Sequence, residues 1–263
     1  DDESKSVYPE PKEHCDVCRW SDVCEKRRRD DDHLCLVANI SKTQITELQA
    51  RGIGTAKALG ETTIPLPWTP EKGSSASFEK SIAQAKIQVD AREQDKLLYE
   101  IIEQMPDSGL ALLPEPSPGD VFFDLEGDSF IVEGGLEYLF GYHYRDDNGE
   151  IVRVADWAFN REEEKTAFEN FMNFVTARRE QFPGMHIYHY APYEPSTLKR
   201  LMGRYATKET EVDNLLRGKV LVDLFTVVRN SIRASVESYS IKKLEPFYEY
   251  ERKIPLKDAN VAL

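Results

Sequence analysis

The chain has 263 residues, of which 40% are hydrophobic, 31% charged and 10% aromatic, enough for one large domain or two small ones. No apolar run approaches the roughly 20 residues that a membrane helix needs, and no basic-then-apolar leader opens the sequence, so no membrane partner and a cytoplasmic location are expected. The formal net charge of −13 excludes a protein that coats nucleic acid nonspecifically, because such binding rests on Lys and Arg neutralising phosphates. It does not exclude an enzyme that gathers carboxylates around metal ions.

Residues 1–60 carry 12 acidic and 10 basic side chains and every cysteine, leaving 35 acidic and 24 basic for the remainder. The cysteines Cys15, Cys18, Cys24 and Cys35 fall in a C-x2-C-x5-C-x10-C pattern. Without an export signal this is not a disulfide framework. A C-x2-C turn can offer two thiolates to one metal and Cys24 a third. The fourth ligand is Cys35, His14, His33 or a residue outside this chain. Four thiolates suit tetrahedral zinc or an iron–sulfur cluster, and spacing does not choose between them. The basic run Lys26-Arg27-Arg28-Arg29 reads either as a solvated helix end or as a phosphate contact. Ser41-x-x-Gln44 forms a capping box, Gly52 can end that helix in the left-handed conformation, and a second short helix runs over Thr55–Leu59. Leu48, Ile53 and Leu59 would pack between the two. Gly52-x-Gly54 is similar to the turn of a helix-hairpin-helix element, whose backbone N–H groups can hold a phosphate.

Two proline-rich stretches, Pro65–Pro70 and Pro106–Pro118, bracket a helical pattern over Ala76–Gln104 with Ile82, Ala85, Val89, Leu97 and Ile101 on one stripe. Residues 61–119 therefore read as a linker containing a long helix. From Asp120 strands alternate with helices: a strand over Val121–Glu126, then Glu137–Tyr144 and Ile151–Phe159 about an Asn148-Gly149 hairpin turn. An amphipathic helix follows over Glu162–Glu180, then a strand over His186–Tyr190, a helix from about Pro195 to Tyr205, and the stretches Val220–Ile232 and Ser240–Tyr250. This order predicts an α/β fold, a mixed sheet flanked by helices, over residues 120–263. A small α-helical metal-binding and helical-hairpin region precedes it.

Phe122-Phe123-Asp124-Leu125-Glu126-Gly127 is the segment richest in chemistry. On a strand, residues two apart share a face, so Asp124 and Glu126 project together while Phe123 and Leu125 face elsewhere. Two adjacent carboxylates with no basic neighbour repel one another, and a divalent cation resolves that repulsion. His189-Tyr190-Ala191-Pro192-Tyr193-Glu194 places Glu194 where a strand gives way to a helix, within reach of the same ions. Asp124, Glu126 and Glu194 are the candidate catalytic and metal-ligating residues. Mg2+ or Mn2+ are the expected ions, since magnesium favours carboxylate and water oxygens.

Two resemblances follow from these motifs. His14-Cys15-Asp16-Val17-Cys18-Arg19-Trp20, with Cys24 and Asp31-Asp32-His33-Leu34, resembles the end of a RecB-like nuclease domain. That resemblance implies a [4Fe-4S] cluster, with zinc the alternative, on Cys15, Cys18, Cys24 and Cys35, the family's upstream cysteine lying outside the chain. The D-x-E strand, the Tyr193-Glu194 motif and Leu221-Val222-Asp223-Leu224-Phe225 followed by Ser238-Tyr239-Ser240 resemble the ribonuclease H-like exonucleases of the DEDD type. The YprB-type domain and the proofreading domain of family B polymerases are the nearest subset. Glu194 stands where that family has Asp, and Asp223 corresponds to an acid with a mainly structural role. The family's Tyr-x-x-x-Asp motif is not present; Lys257-Asp258-Ala259 does not match it, which implies a fourth acid beyond Leu263 and weak activity of this chain alone. The resemblances imply a two-metal, 3′–5′ exonuclease-like enzyme that acts on nucleic acid, DNA before RNA, within a larger nuclease and beside a fused or associated helicase. A scaffolding module that binds nucleic acid without catalysis is the alternative.

Overall fold

A computed structural model of the protein describes residues 8–251. The described residues form two compact units, one built from the chain up to Ile102 together with the segment from Ile232 onward, the other from Glu103–Ser231.

In the first unit α1 (Ser21–Asp30) is followed by α2 (Lys42–Ala50), α3 (Ala56–Gly60) and α4 (Ser75–Gln94). The Ser41/Gln44 capping box forms as expected, with Gln44 N–H donating to Ser41 Oγ at 3.2 Å and Ser41 N–H to Gln44 Oε1 at 2.9 Å. Gly52 takes φ of +81° at the end of α2. Leu34, Leu48, Leu59, Phe78 and Ile82 make the core of this unit, with Ile53 partly buried against it. Gly60 lets α3 close on α4, because a Cβ there would lie 3.0 Å from the Lys86 backbone and push the helix back by a few tenths of an ångström. The basic run is spent on the protein itself: Lys26 pairs with Asp30, Arg27 with Asp31, and Arg29 with Glu25 and Glu237. Arg28 is buried and donates to the Pro9 carbonyl.

The helix expected over Ala76–Gln104 ends ten residues early, at Gln94. Asp95 turns left-handed at φ of +49°, and Lys96 N–H bonds back to the Ala91 carbonyl at 3.0 Å, a Schellman-type stop. Beyond it the chain extends past Leu97 into β1 (Tyr99–Ile101), and Leu97 and Ile101 are both exposed rather than on a buried stripe.

The second unit carries β2 (Val121–Asp128), β3 (Leu136–Arg145), β4 (Ile151–Trp157), α5 (Arg161–Gln181), β5 (Ile187–His189), α6 (Tyr193–Tyr205), α7 (Glu209–Arg217), β6 (Leu221–Asp223) and α8 (Leu224–Ser231). Its strands form one five-stranded sheet in the order β4-β3-β2-β5-β6. The first three pair antiparallel, and β5 and β6 continue parallel to β2. The β3–β4 turn is set by Asp146, whose Oδ1 accepts from Asn148 and Glu150 N–H, and by Gly149 at φ of +81°. On one face, Val121, Phe123, Leu125, Phe140 and Tyr142 pack against Phe168, Phe171, Met172 and Val175 of α5 and Leu198 and Leu201 of α6. This is the mixed sheet flanked by helices that the element order predicts.

The apolar stretch Val220–Ile232 is divided by one residue. Asp223 accepts from Phe225 N–H at 3.0 Å and Thr226 Oγ at 2.6 Å, which caps a helix immediately after the strand. The chain returns to the first unit as β7 (Ile232–Ala234), which pairs antiparallel with β1, and α9 (Ile241–Leu244).

Candidate active site

The parallel pairing of β2 with β5 runs only over Val121–Ile187 and Phe122–Tyr188. Past that point β5 ends, and Ala191 adopts a left-handed φ of +72°. The chain leaves β2 toward β3 on one side and meets β5 on the other, so the gap beside the carboxyl end of β2 is a topological switch point, where open α/β sheets place their sites. Asp124 and Glu126 lie there on β2, and Glu194 occupies the first turn of α6.

The alternation along β2 is strict. Val121, Phe123 and Leu125 are buried while Phe122, Asp124 and Glu126 are exposed, so both acids stand on the sheet face away from the core. Asp124 nonetheless feels its surroundings. Its carboxyl is pushed up from 3.8 to about 6, first by lost hydration, then by the charges of Glu126 and Glu194, with a carboxyl–carboxyl hydrogen bond to Glu194 adding to the rise. Glu194 is 3% exposed, and its Oε2 is buried with no hydrogen-bond partner. Among the described residues no Lys or Arg pairs with any of the three acids. The basic group nearest Glu194 Oε2 is His189 Nδ1 at 3.5 Å. That nitrogen also lies 2.7 Å from the Ala191 carbonyl, which can only accept, so Nδ1 carries the proton there. Asp223 does not join the group. Its Oδ1 accepts from Ala191 N–H at 2.9 Å as well as capping α8, so it shapes the bend that carries Glu194.

Among the described residues, no group of three or more His, Cys, Asp or Glu side chains is disposed to hold a metal ion. At the carboxylates the donor chemistry still fits a hard divalent cation, because a buried oxygen of Glu194 accepts no hydrogen bond and Asp124 resists ionising beside two other acids. At the N-terminal end the four cysteines are free thiols, each half-buried. Their softness fits a thiophilic metal, whereas burial pushes the Cys35 thiol up to about 11. The Lys257-Asp258-Ala259 segment lies outside the described residues.

The sequence reading missed a second group of acids. A β-bulge between Glu126 and Gly127 leaves Tyr138 as an extra residue on β3. Beyond it Glu137 is turned toward α6, where it accepts from Tyr193 Oη at 2.7 Å and pairs with Arg200. Its backbone N–H donates at 2.6 Å to Glu164 of α5, which is fully buried and also takes Arg161, Arg204 and Tyr205. Burial works against the Glu164 charge, but these four donors hold its pKa below the ordinary value. Gly127 permits the approach, since a Cβ there would fall 2.4 Å from Glu137 Oε2. Only the Arg161–Glu164 pair, three apart on α5, was local; Arg200 and Arg204 lie dozens of residues from the acids they meet, a pattern that no local spacing reveals.

The family profile described as the RNase_H superfamily matches residues 121–261 of the chain. No curated protein and no solved structure gave a significant match.

Proposed function

The chain belongs to the ribonuclease H superfamily, whose members imply a nuclease that acts on nucleic acid, and from that premise we propose a metal-dependent, 3′–5′ exonuclease-like enzyme of the DEDD type, with DNA as the favoured substrate. Asp124, Glu126 and Glu194 are the residues that would hold Mg2+ or Mn2+. The observation that carries this reading is the buried Oε2 of Glu194, which accepts no hydrogen bond and has only the His189 imidazole at 3.5 Å to set against its charge, beside an Asp124 carboxyl pushed up to about 6. Bound divalent ions would supply an activated water and charge stabilisation for the leaving oxygen of a phosphodiester.

The chain's own residues prepare that site. His189 donates Nδ1–H to the Ala191 carbonyl, and Asp223 takes the Ala191 N–H, so both sides of the left-handed bend before α6 are tied down. The bend aims Glu194 toward Asp124. Core packing of Phe123 and Leu125 on the opposite face fixes the pitch at which Asp124 and Glu126 emerge. The test is release of nucleotides from end-labelled single strands in Mn2+, compared with Asp124→Asn and Glu194→Gln. Equal release by the parent and both variants would refute the assignment.

For the N-terminal segment the RecB-like resemblance supports a [4Fe-4S] cluster or zinc at Cys15, Cys18, Cys24 and Cys35, and with it a place in a larger nuclease associated with a helicase. No disulfide ties up any of the four thiols, which leaves them available as ligands, and binding would have to draw together side chains that are not grouped in threes among the described residues. Metal analysis and visible absorption of anaerobically purified protein test it, and protein free of both iron and zinc with every thiol titratable would overturn it.

A further inference from the structure

The sheet face that bears Asp124 and Glu126 continues outward through β3 and β4. Side chains at paired positions share a face, so the register Glu126–Leu139–Trp157 puts Trp157 in the same row as Glu126. The neighbouring rows are Asp124–Gly141–Ala155 and Phe122–His143–Arg153. Gly141 and Ala155 leave a shallow floor between the carboxylates and the β4 edge. The bulge residue Tyr138 begins a file of aromatic rings there. Its ring lies 6.2 Å from Trp157 at an interplanar angle of 14°, and Trp157 lies 6.3 Å from Phe159 at 4°. The bulge sets Tyr138 opposite the Glu126–Gly127 step of β2, so the file starts beside the acids.

These rings do not serve the core. Trp157 is 41% exposed and Phe159 73% exposed, a solvated apolar surface for which folding gives no reason. Arg153, exposed on the same face, forms no ion pair among the described residues.

We propose that Tyr138, Trp157 and Phe159 form a stacking platform for unpaired bases of a nucleic-acid strand that crosses the sheet from β4 to the carboxylates, with Arg153 meeting its phosphates. The inference deepens the nuclease reading and rests on it for what happens at the end of that path. Parallel aromatic faces select single strands, because a duplex keeps its base faces inside its own stack, whereas every unpaired base offers one. The platform is continuous with the carboxylate row and carries a cation of its own in Arg153.

The experiment measures binding of fluorescein-labelled oligothymidylate and of a blunt duplex to the full chain in EDTA, where hydrolysis cannot intervene. Trp157→Ala with Phe159→Ala is expected to weaken the single-strand complex about tenfold or more, leave duplex affinity unchanged, and be rescued by Trp157→Phe with Phe159→Tyr. Unchanged single-strand affinity in the alanine variant overturns the proposal, as does an equal loss on duplex or a failure of the aromatic variant to restore binding. Hydrolysis of thymidine 5′-monophosphate p-nitrophenyl ester in Mn2+, a substrate too short to reach Trp157, reports on the carboxylates separately. Its absence with the binding pattern intact would sink the catalytic reading and leave the platform standing.

Discussion

Asp124→Asn should stabilise the metal-free chain at neutral pH, the reverse of what loss of a paired carboxylate does. The folded state holds the Asp124 proton with a pKa of about 6 against 3.8 ordinarily. Between pH about 4 and 6 the folded chain therefore binds more protons than the unfolded one, and stability falls as pH climbs through that window. Unscreened, such a difference is worth about 3 kcal/mol. Asp124 keeps an exposed flank, and water there screens both the lost hydration and the repulsion from Glu126, so about 1 kcal/mol remains. For a chain of this size that is about 2–4 °C in melting temperature. The assay is thermal melting of parent and variant in EDTA at neutral pH and again below pH 4, where Asp124 is protonated in both states and the difference should vanish. A variant no more stable than the parent at neutral pH, or a gain that persists undiminished in acid, would refute the argument.

Mn2+ should raise the melting temperature of the parent above pH 6 and lose that effect as protons compete for the same carboxylates. At a hundredfold excess over Kd the gain is about 2.7 kcal/mol, and a pH-independent shift would count against binding at the three acids. Glu164→Ala should cost about 3–5 kcal/mol in urea unfolding, because it strands Arg161, Arg204 and Tyr205 around an uncompensated space; a loss below 1 kcal/mol would show that the network is not structural. Ala191→Gly should stabilise by about 1 kcal/mol, since the left-handed φ of +72° penalises a Cβ, and a destabilised variant would mean the bend is not strained.

The sheet could be read from the chain because its signals are local. Alternation along Val121–Leu125, the Asn148-Gly149 turn and the apolar stripe of α5 each lie within one element. Asp124 and Glu126 were visible for the same reason, as period-two neighbours on a strand. The stop of α4 at Gln94 was not, because Asp95 sits in a segment with strong helical propensity and only the left-handed turn it adopts ends the helix. The β6–α8 boundary hid inside an unbroken apolar run, where the capping contacts of Asp223 outweigh β-branched preference. Glu137 and Glu164 escaped notice because what distinguishes them is which arginines tertiary folding brings to them.

The extra residue at Tyr138 has a consequence for how charge is distributed across the sheet. Up to Glu126 the acids of this hairpin look outward, beyond the reach of Arg200 and Arg204. After the bulge Glu137 looks inward and is neutralised by Arg200. One inserted residue thus sorts neighbouring acids into two populations, those quenched by the protein's own cations and those left hungry for cations from solution. Regular pairing that kept Tyr138 in the ladder opposite Gly127 would set Glu137 against Asp128 on the outer face and leave Arg200 without its carboxylate, collapsing the segregation on which a selective cation site depends.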